Sequence, residues 1–551
     1  MRHVRTTLAC LILAGCGSSS PPPSTSTTTT TTASPPAPTS PITAPAPAPA
    51  NAAVATTEKD KAPDGDIVTD HVAELNSDKY ARPPSTFRPG SVTTVAPPKA
   101  TKTATGFQVQ FASHASIVTP TVYDRRVIVS GGFQSTLLYA YDASTGAPVW
   151  GLDLHDDGPS SPACDRGTCV VSTESCTIFA VDAKTGKHLW SYWLGDPLTS
   201  SPTIAGDRVF ASYPASSIEG KKPRPPGVTH ALAAFDLRTG KILWQMWLEG
   251  DVMSAPVAVG EFVYLTTFGG TVIKAEQATG KIRYAMKARA TSAPVVQFAN
   301  GVEQMYYTRR GADEATPPAV DPADPSARAP AAKKKATEMI IRADHNEPKT
   351  VYEANRREAD YVDGAAQAES DHAKKSKSQD AHNGFSSTPA AAAANYAFAN
   401  VGVGSVSSMQ SFQGSRIVNV GDKNVNTMGD EVLATDVNTG KTLWTYKLAG
   451  NTKSQGGFLG TAPLSAGKSV FFGTLGGEVV RLETATGKKT QTFTVGGAVR
   501  SQPVVDGGWI YVGTEDGKLV AIDTKDPSVT GWPTWGGNAQ RTGIANAAIK
   551  K

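Results

Sequence analysis

The sequence predicts an all-β chain, an eight-bladed β-propeller of four-stranded antiparallel blades behind a disordered N-terminal tether. Three observations predict it. One short motif recurs eight times along the chain. A second motif alternates strictly with the first. The runs between them are β-rich, broken by Asp-Gly turn signals and free of helical period.

The 551 residues exceed one ordinary globular core, and composition divides them. Residues 1–15 read as a leader, with Arg2, His3 and Arg5 ahead of the apolar run Leu8–Leu13. That run is too short to span a bilayer, which takes about 20 apolar residues, and fits a secretory signal. It ends in Leu13-Ala14-Gly15-Cys16, which resembles the bacterial lipobox. The resemblance implies that Cys16 is lipidated and becomes the mature N-terminus; a plain signal peptide with an incidental cysteine is the alternative. Gly17 in place of Asp resembles the pattern of lipoproteins sent to the outer membrane, facing the periplasm.

Residues 17–60 are almost wholly Ser, Thr, Pro and Ala, too poor in apolar surface to offset chain entropy. With the weakly patterned residues 61–105 they read as tether and linker, so that 16–105 precede a propeller over 106–545. The formal net charge of +4 is mixed in sign and has no concentrated basic patch, which excludes a nucleic-acid partner.

The first motif is Asp-x-x-Thr-Gly with an aromatic residue eight positions after the acid. The acid is Asp142, Asp182, Asp236, Glu276, Asp344, Asp436, Glu483 and Asp523. Four positions on stand Gly146, Gly186, Gly240, Gly280, Gly440 and Gly487, with Pro348 and Pro527 in the degenerate copies. Eight positions on stand Trp150, Trp190, Trp244, Tyr284, Tyr352 and Trp444; Gln491 breaks the rule and Trp532 lies one residue late. The second motif is a Ser/Thr-rich step into proline at Pro120, Pro162, Pro202, Pro256, Pro294, Pro463 and Pro503. Its sixth copy is either Pro389 or, by spacing, Ser407–Met409. A unit spacing of about 40 residues marks propellers and solenoids.

Within a unit, "SQPVVDGGWIYVGTEDGKLVAIDTKD" from Ser501 shows β-rich runs split by Asp-Gly pairs, which are strong hairpin signals. Four such strands per unit and eight units give the propeller. The Asp and Thr side chains are expected to hold the turn, the glycine to allow it to close, and the tryptophan to wedge between neighbouring blades rather than stack on a ligand. Residues 107–112 are expected to complete the last blade from the other end of the chain, which protects the sheet edges.

The units "FAVDAKTGKHLW", "AAFDLRTGKILW", "LATDVNTGKTLW" and "YVGTEDGKLVAID" resemble the repeat of the quinoprotein (PQQ) propeller superfamily over roughly residues 107–543. That superfamily includes PQQ- and Ca²⁺-dependent dehydrogenases and non-catalytic propeller lipoproteins of the BamB type, which serve outer-membrane β-barrel assembly. Lipobox, tether and a single propeller resemble the second group, as does "GWPTWGGNAQRTG" at 531–543. The resemblance implies a non-enzymatic scaffold with protein partners, tethered by its lipid, and no cofactor. The alternatives are a PQQ/Ca²⁺ dehydrogenase or a ligand- or carbohydrate-binding surface lipoprotein. The dehydrogenases carry adjacent cysteines and acidic and amide calcium ligands; no two cysteines are adjacent here and no such ligand set is recognisable.

No constellation in the sequence has metal spacing, a phosphate loop or a nucleophile elbow. "HDDG" at 155–158 reads as a solvated turn and "DGD" at 64–66 as a solvated loop. Cys164 and Cys169 bracket "DRGT". If Arg166-Gly167 is the turn, the two cysteines form a close non-hydrogen-bonded pair suited to a disulfide in an oxidising compartment. A metal pair or two free thiols are the alternatives. Cys176 stands at a turn position as an unpaired thiol. Insertions near 216–227, 311–337 and 356–400 interrupt the spacing, and loops this long are functional or disordered.

Overall fold

The structure, a computed structural model, describes residues 92–544 except 215–229, 311–335, 345–348, 360–416, 453–458 and a few shorter loop stretches. Of 336–344 and 349–359 it describes the backbone alone. The chain divides into Met1–Ala53 and Val54–Lys551, and everything described belongs to the second unit. Cys16, Cys176, both candidates for the sixth proline motif, "DGD" and most of the insertions lie outside the described residues.

The described strands form eight antiparallel sheets, one per repeat unit. Blade 2 is representative. Its inner strand Ala163–Asp165 turns into Thr168–Ser172, then Thr177–Asp182, then the outer strand His188–Trp193, in that spatial order. The proline motif opens the inner strand of every blade but the sixth, whose inner strand Ile417–Val420 has no proline directly before it, and the inner strands of neighbouring blades touch around an axis. The core consists of apolar layers between adjacent blades, such as Leu138, Trp150, Val171 and Phe179 between blades 1 and 2.

The chain ends close the ring as expected. Gly106–Gln110 pairs with Lys518–Ile522 and becomes the outer strand of blade 8, with Phe107 opposite Ala521 in the tryptophan position. Trp532, assigned by sequence to that position, is elsewhere, because the strand that completes the blade comes from the N-terminal side. Part of the expected linker is also structured. Thr93–Thr94 adds a fifth strand to blade 1 and Thr101–Thr103 adds one to blade 8. Gly151 admits this strap: a Cβ there would lie 2.6 Å from the Val95 carbonyl oxygen. Blade 5 strands run over Ala336–Asp344 and Lys349–Ala359, so they take in 336–337 and 356–359 at the edges of two expected insertions.

Strand direction alternates within a blade, so the connections have sides. All first-to-second and third-to-fourth turns lie on one face. All second-to-third and blade-to-blade connections lie on the other. Residues 215–229, 311–335 and 360–416 all depart from strand ends on this second face. The antiparallel register of Thr93 with Asp153 brings the N-terminal strap in from the same side.

Candidate functional site on the ring axis

The repeated motif residues are brought together in pairs, across the seams between blades. In blade 2, Asp182 Oδ1 accepts from the Lys184 and Thr185 amides at 3.1 and 2.8 Å and from the Thr185 hydroxyl at 2.7 Å. These bonds, the hydroxyl first, hold the Asp182 carboxyl below the usual carboxylate range. Asp236 and Asp436 make the same turn and are lowered for the same reason. Asp142 accepts from Ser144 and Thr145, which together outweigh its desolvation and lower it too.

The tryptophan of one blade lies under the turn glycine of the next. Trp190 Nε1 donates to the Leu237 carbonyl at 3.0 Å, and a Cβ on Gly240 would sit 2.6 Å from the Trp190 ring. Trp150 with Gly186, Trp244 with Gly280 and Trp444 with Gly487 repeat this, and Phe107 takes the role against Gly146. The register explains why the ring fits: Ala140, Ala180, Ala234 and Ala434 stand directly opposite the four tryptophans. Lys274 stands opposite Tyr284 and Arg481 opposite Gln491. Those two seams are closed by charge instead. Lys274 Nζ reaches Glu303 of blade 5 at 2.6 Å, with Tyr264 donating to the same oxygen at 2.8 Å. Arg481 pairs with Asp526 of blade 8 at 2.9 Å. The rule was legible in the sequence: a cation two residues before the acid accompanies a missing tryptophan.

The axis is where non-repeating residues converge. The segment 532–543 runs past the inner strands of five blades. Its carbonyls accept from Val505, Val122, Ile204, Ala258 and Asn419, through Trp532, Pro533, Ala539, Gln540 and Gly543 respectively, at 2.6–3.1 Å. Four of these donors stand two residues after a proline motif, so they are equivalent backbone amides on the axial edges of the inner strands. An inner edge otherwise has no strand to pair with; here the chain's own C-terminal segment satisfies it. Trp532 is fully buried, with its Nε1 3.1 Å from Gln502 Oε1.

Arg541 fixes this segment. Its guanidinium donates to Thr534 Oγ1 and the Trp535 carbonyl at 2.9 and 2.8 Å, and to the carbonyls of Ser161, Pro162 and Pro202 at 3.3, 3.1 and 3.2–3.3 Å. Both terminal nitrogens and Nε are thereby engaged by blades 2 and 3 and by the segment itself. Burial pushes Arg541 down to about 9, which leaves it charged at neutral pH. No repeated motif marks Arg541. The available signal was that Trp532, Trp535 and Arg541 follow the last strand and belong to no repeat.

Cys164 and Cys169 stand opposite each other in blade 2, and the structure joins them in a disulfide with a Cα–Cα distance of 4.1 Å. In "HDDG", Asp156 accepts from the Thr177 hydroxyl and His155 Nε2 lies 3.2 Å from Thr93 Oγ1, so the stretch ties loop to strap.

A quinone held with Ca²⁺ does not fit these residues. Among the described residues no group of three or more His, Cys, Asp or Glu could hold a metal ion. The axis is filled by Trp532, Trp535 and Arg541, and the donors of Trp532 and Arg541 are taken by the chain's own oxygens.

The family model of the outer membrane protein assembly factor BamB matches residues 102–220, 228–314 and 429–543, together more than half of the chain. Among solved structures, BamB from Moraxella catarrhalis shares 16% identity at a TM-score of 0.45, over 78% of this chain and 97% of that one. The quinohemoprotein alcohol dehydrogenase ADHIIG from Pseudomonas putida HK5 shares 12% identity at 0.46, over 81% and 79%. The computationally designed Ika8 protein shares 12% at 0.47, over 75% and 98%. No curated protein matches the chain.

Proposed function

Because the chain belongs to the family of the outer membrane protein assembly factor BamB, we propose that it is a non-enzymatic propeller scaffold that binds protein partners. In this reading Cys16 carries a lipid that holds the chain at the outer membrane, facing the periplasm, and the partners belong to the assembly of outer-membrane β-barrels. The observation that carries it is the filled axis. Residues 532–543 and the buried Arg541 occupy the centre of the ring, so binding falls to the faces.

Of the two faces, the turn face repeats the same Asp-Thr-Gly turn from blade to blade. The connection face differs in every blade, and the strap enters there. We assign partner binding to the connection face, since a rigid rim with varied loops is where a scaffold acquires specificity.

Crosslinking and capture from membranes tests the reading. The full chain should recover barrel-assembly components. Charge reversal at Asp430 and Asp516 on the connection face should weaken capture, and reversal at Lys184 and Lys241 on the turn face should leave it intact. Capture free of any barrel-assembly component would remove the assembly role. Dye-linked oxidation after addition of PQQ and Ca²⁺ would overturn the non-enzymatic reading separately.

A further inference from the structure

One blade breaks the apolar rule of the seams. In each blade, two residues of the second strand face the preceding blade, opposite the residues one and three before the motif acid. They are Cys169 and Val171 in blade 2, Val470 and Phe472 in blade 7, and Ile510 and Val512 in blade 8. Blades 1, 3, 4 and 5 also carry apolar pairs here. Blade 6 carries Asn424 and Asn426, with Thr435 opposite Asn424 and Leu433 opposite Asn426. Asn424, Asn426 and Thr435 are fully buried. Leu433 packs with Val295 and Tyr306, which places this face against blade 5.

The amides are poorly served there. Asn424 Oδ1 accepts from Asn419 Nδ2 at 3.1 Å, but Asn424 Nδ2, both amide atoms of Asn426 and the Thr435 hydroxyl have no partner and no contact with solvent. On the blade 5 side, Gln297, Gln304 and Tyr306 bond among themselves at 2.8–3.1 Å, and the Tyr306 hydroxyl donates across the seam to the Val437 carbonyl at 3.3 Å. The outer position of blade 5 is Tyr352, with Arg342 opposite it in register.

We infer that the seam between blades 5 and 6 is a built-in opening point of the ring, where the buried amides of Asn424 and Asn426 exchange a closed, incompletely bonded state for an open, hydrated one. Each orphaned polar group disfavours the closed state by roughly tenfold, because it lost its water and gained no partner. Opening repays this at each of the four atoms of blade 6. Four such atoms in one seam make its opening at least ~100-fold more frequent than that of an apolar seam.

Site-resolved thiol labelling of the folded full chain tests this. Leu433→Cys puts a thiol in the seam, and Val480→Cys puts one at the equivalent position of blade 7, which faces blade 6. The thiol at 433 should react at least ~100-fold faster. Adding Asn424→Val and Asn426→Val should bring it close to the rate at 480. Equal rates in the two single variants would overturn the inference, and so would a fast rate that the valines leave unchanged. As a second measurement without cysteines, Asn424→Val with Asn426→Val should raise the thermal midpoint of the chain; a lowered midpoint would show that the amides hold the seam closed.

Discussion

Replacing Gly240 with alanine separates two reasons for the turn glycine. Gly240 has a φ of +70°, and a Cβ there would lie 2.6–2.9 Å from three atoms of the Trp190 ring. The left-handed backbone costs a non-glycine residue about 1–2 kcal/mol. Pushing a methyl into a packed ring costs about 1–3 kcal/mol more. Gly206, in the same blade, has a φ of +61° and would place its Cβ no closer than 3.9 Å to Arg166 Nη2. Gly206→Ala therefore carries the backbone cost alone. Urea unfolding of both variants, followed by tryptophan fluorescence, should show Gly240→Ala less stable than Gly206→Ala by about 1–3 kcal/mol. Shrinking the ring with Trp190→Leu should abolish that extra cost in the double variant, since the atoms it meets are gone. Equal losses for the two glycine variants would refute the wedge and leave the glycine explained by its turn alone.

The charged seams respond differently. Lys274→Met alone strands Glu303 in an apolar seam and should cost about 3–5 kcal/mol, whereas Lys274→Met with Glu303→Leu should recover most of it, as read by the urea midpoint. Arg541→Met takes the guanidinium from the carbonyls of Ser161 and Pro202, at about 1–3 kcal/mol for each buried group left unsatisfied, while Pro162 keeps the Thr121 hydroxyl. Limited proteolysis should then release the C-terminal segment first, and uniform cleavage elsewhere would contradict its role at the axis. Acid tests the turns. The carboxyls of Asp182, Asp236 and Asp436 are lowered in the folded chain, so they contribute stability above the unfolded value of about 3.9 that is lost as pH falls through their folded values. The urea midpoint should drop below about pH 4, and Asp236→Asn should flatten part of that drop.

Much of the fold was legible because its unit is local. The acid, threonine and glycine of each turn lie within five residues, and their hydrogen bonds need nothing from elsewhere in the chain. Closure by Phe107 was legible as a missing strand that only the N-terminal side could supply. The exceptions were in the sequence too. Lys274, Arg342 and Arg481 stand where the other five blades have alanine, and Asn424 and Asn426 where others have apolar residues. Their meaning was not, because it depends on which blade each face meets. The stretch "HDDG", read from sequence as a solvated turn, ties a loop to the strap, and that was hidden for the same reason: Thr93 and His155 are neighbours only in space.

By itself, then, the sequence determined the repeat, the strand count per blade, the turn chemistry and the tryptophan seams. These follow from side-chain period and contacts between residues close along the chain. The tertiary structure alone decided that the C-terminal segment fills the axis, that Arg541 bonds carbonyls some 340–380 residues away, and that every long insertion leaves from one face. Such contacts depend on ring closure and strand direction, and neither leaves a periodic trace in the order of the residues.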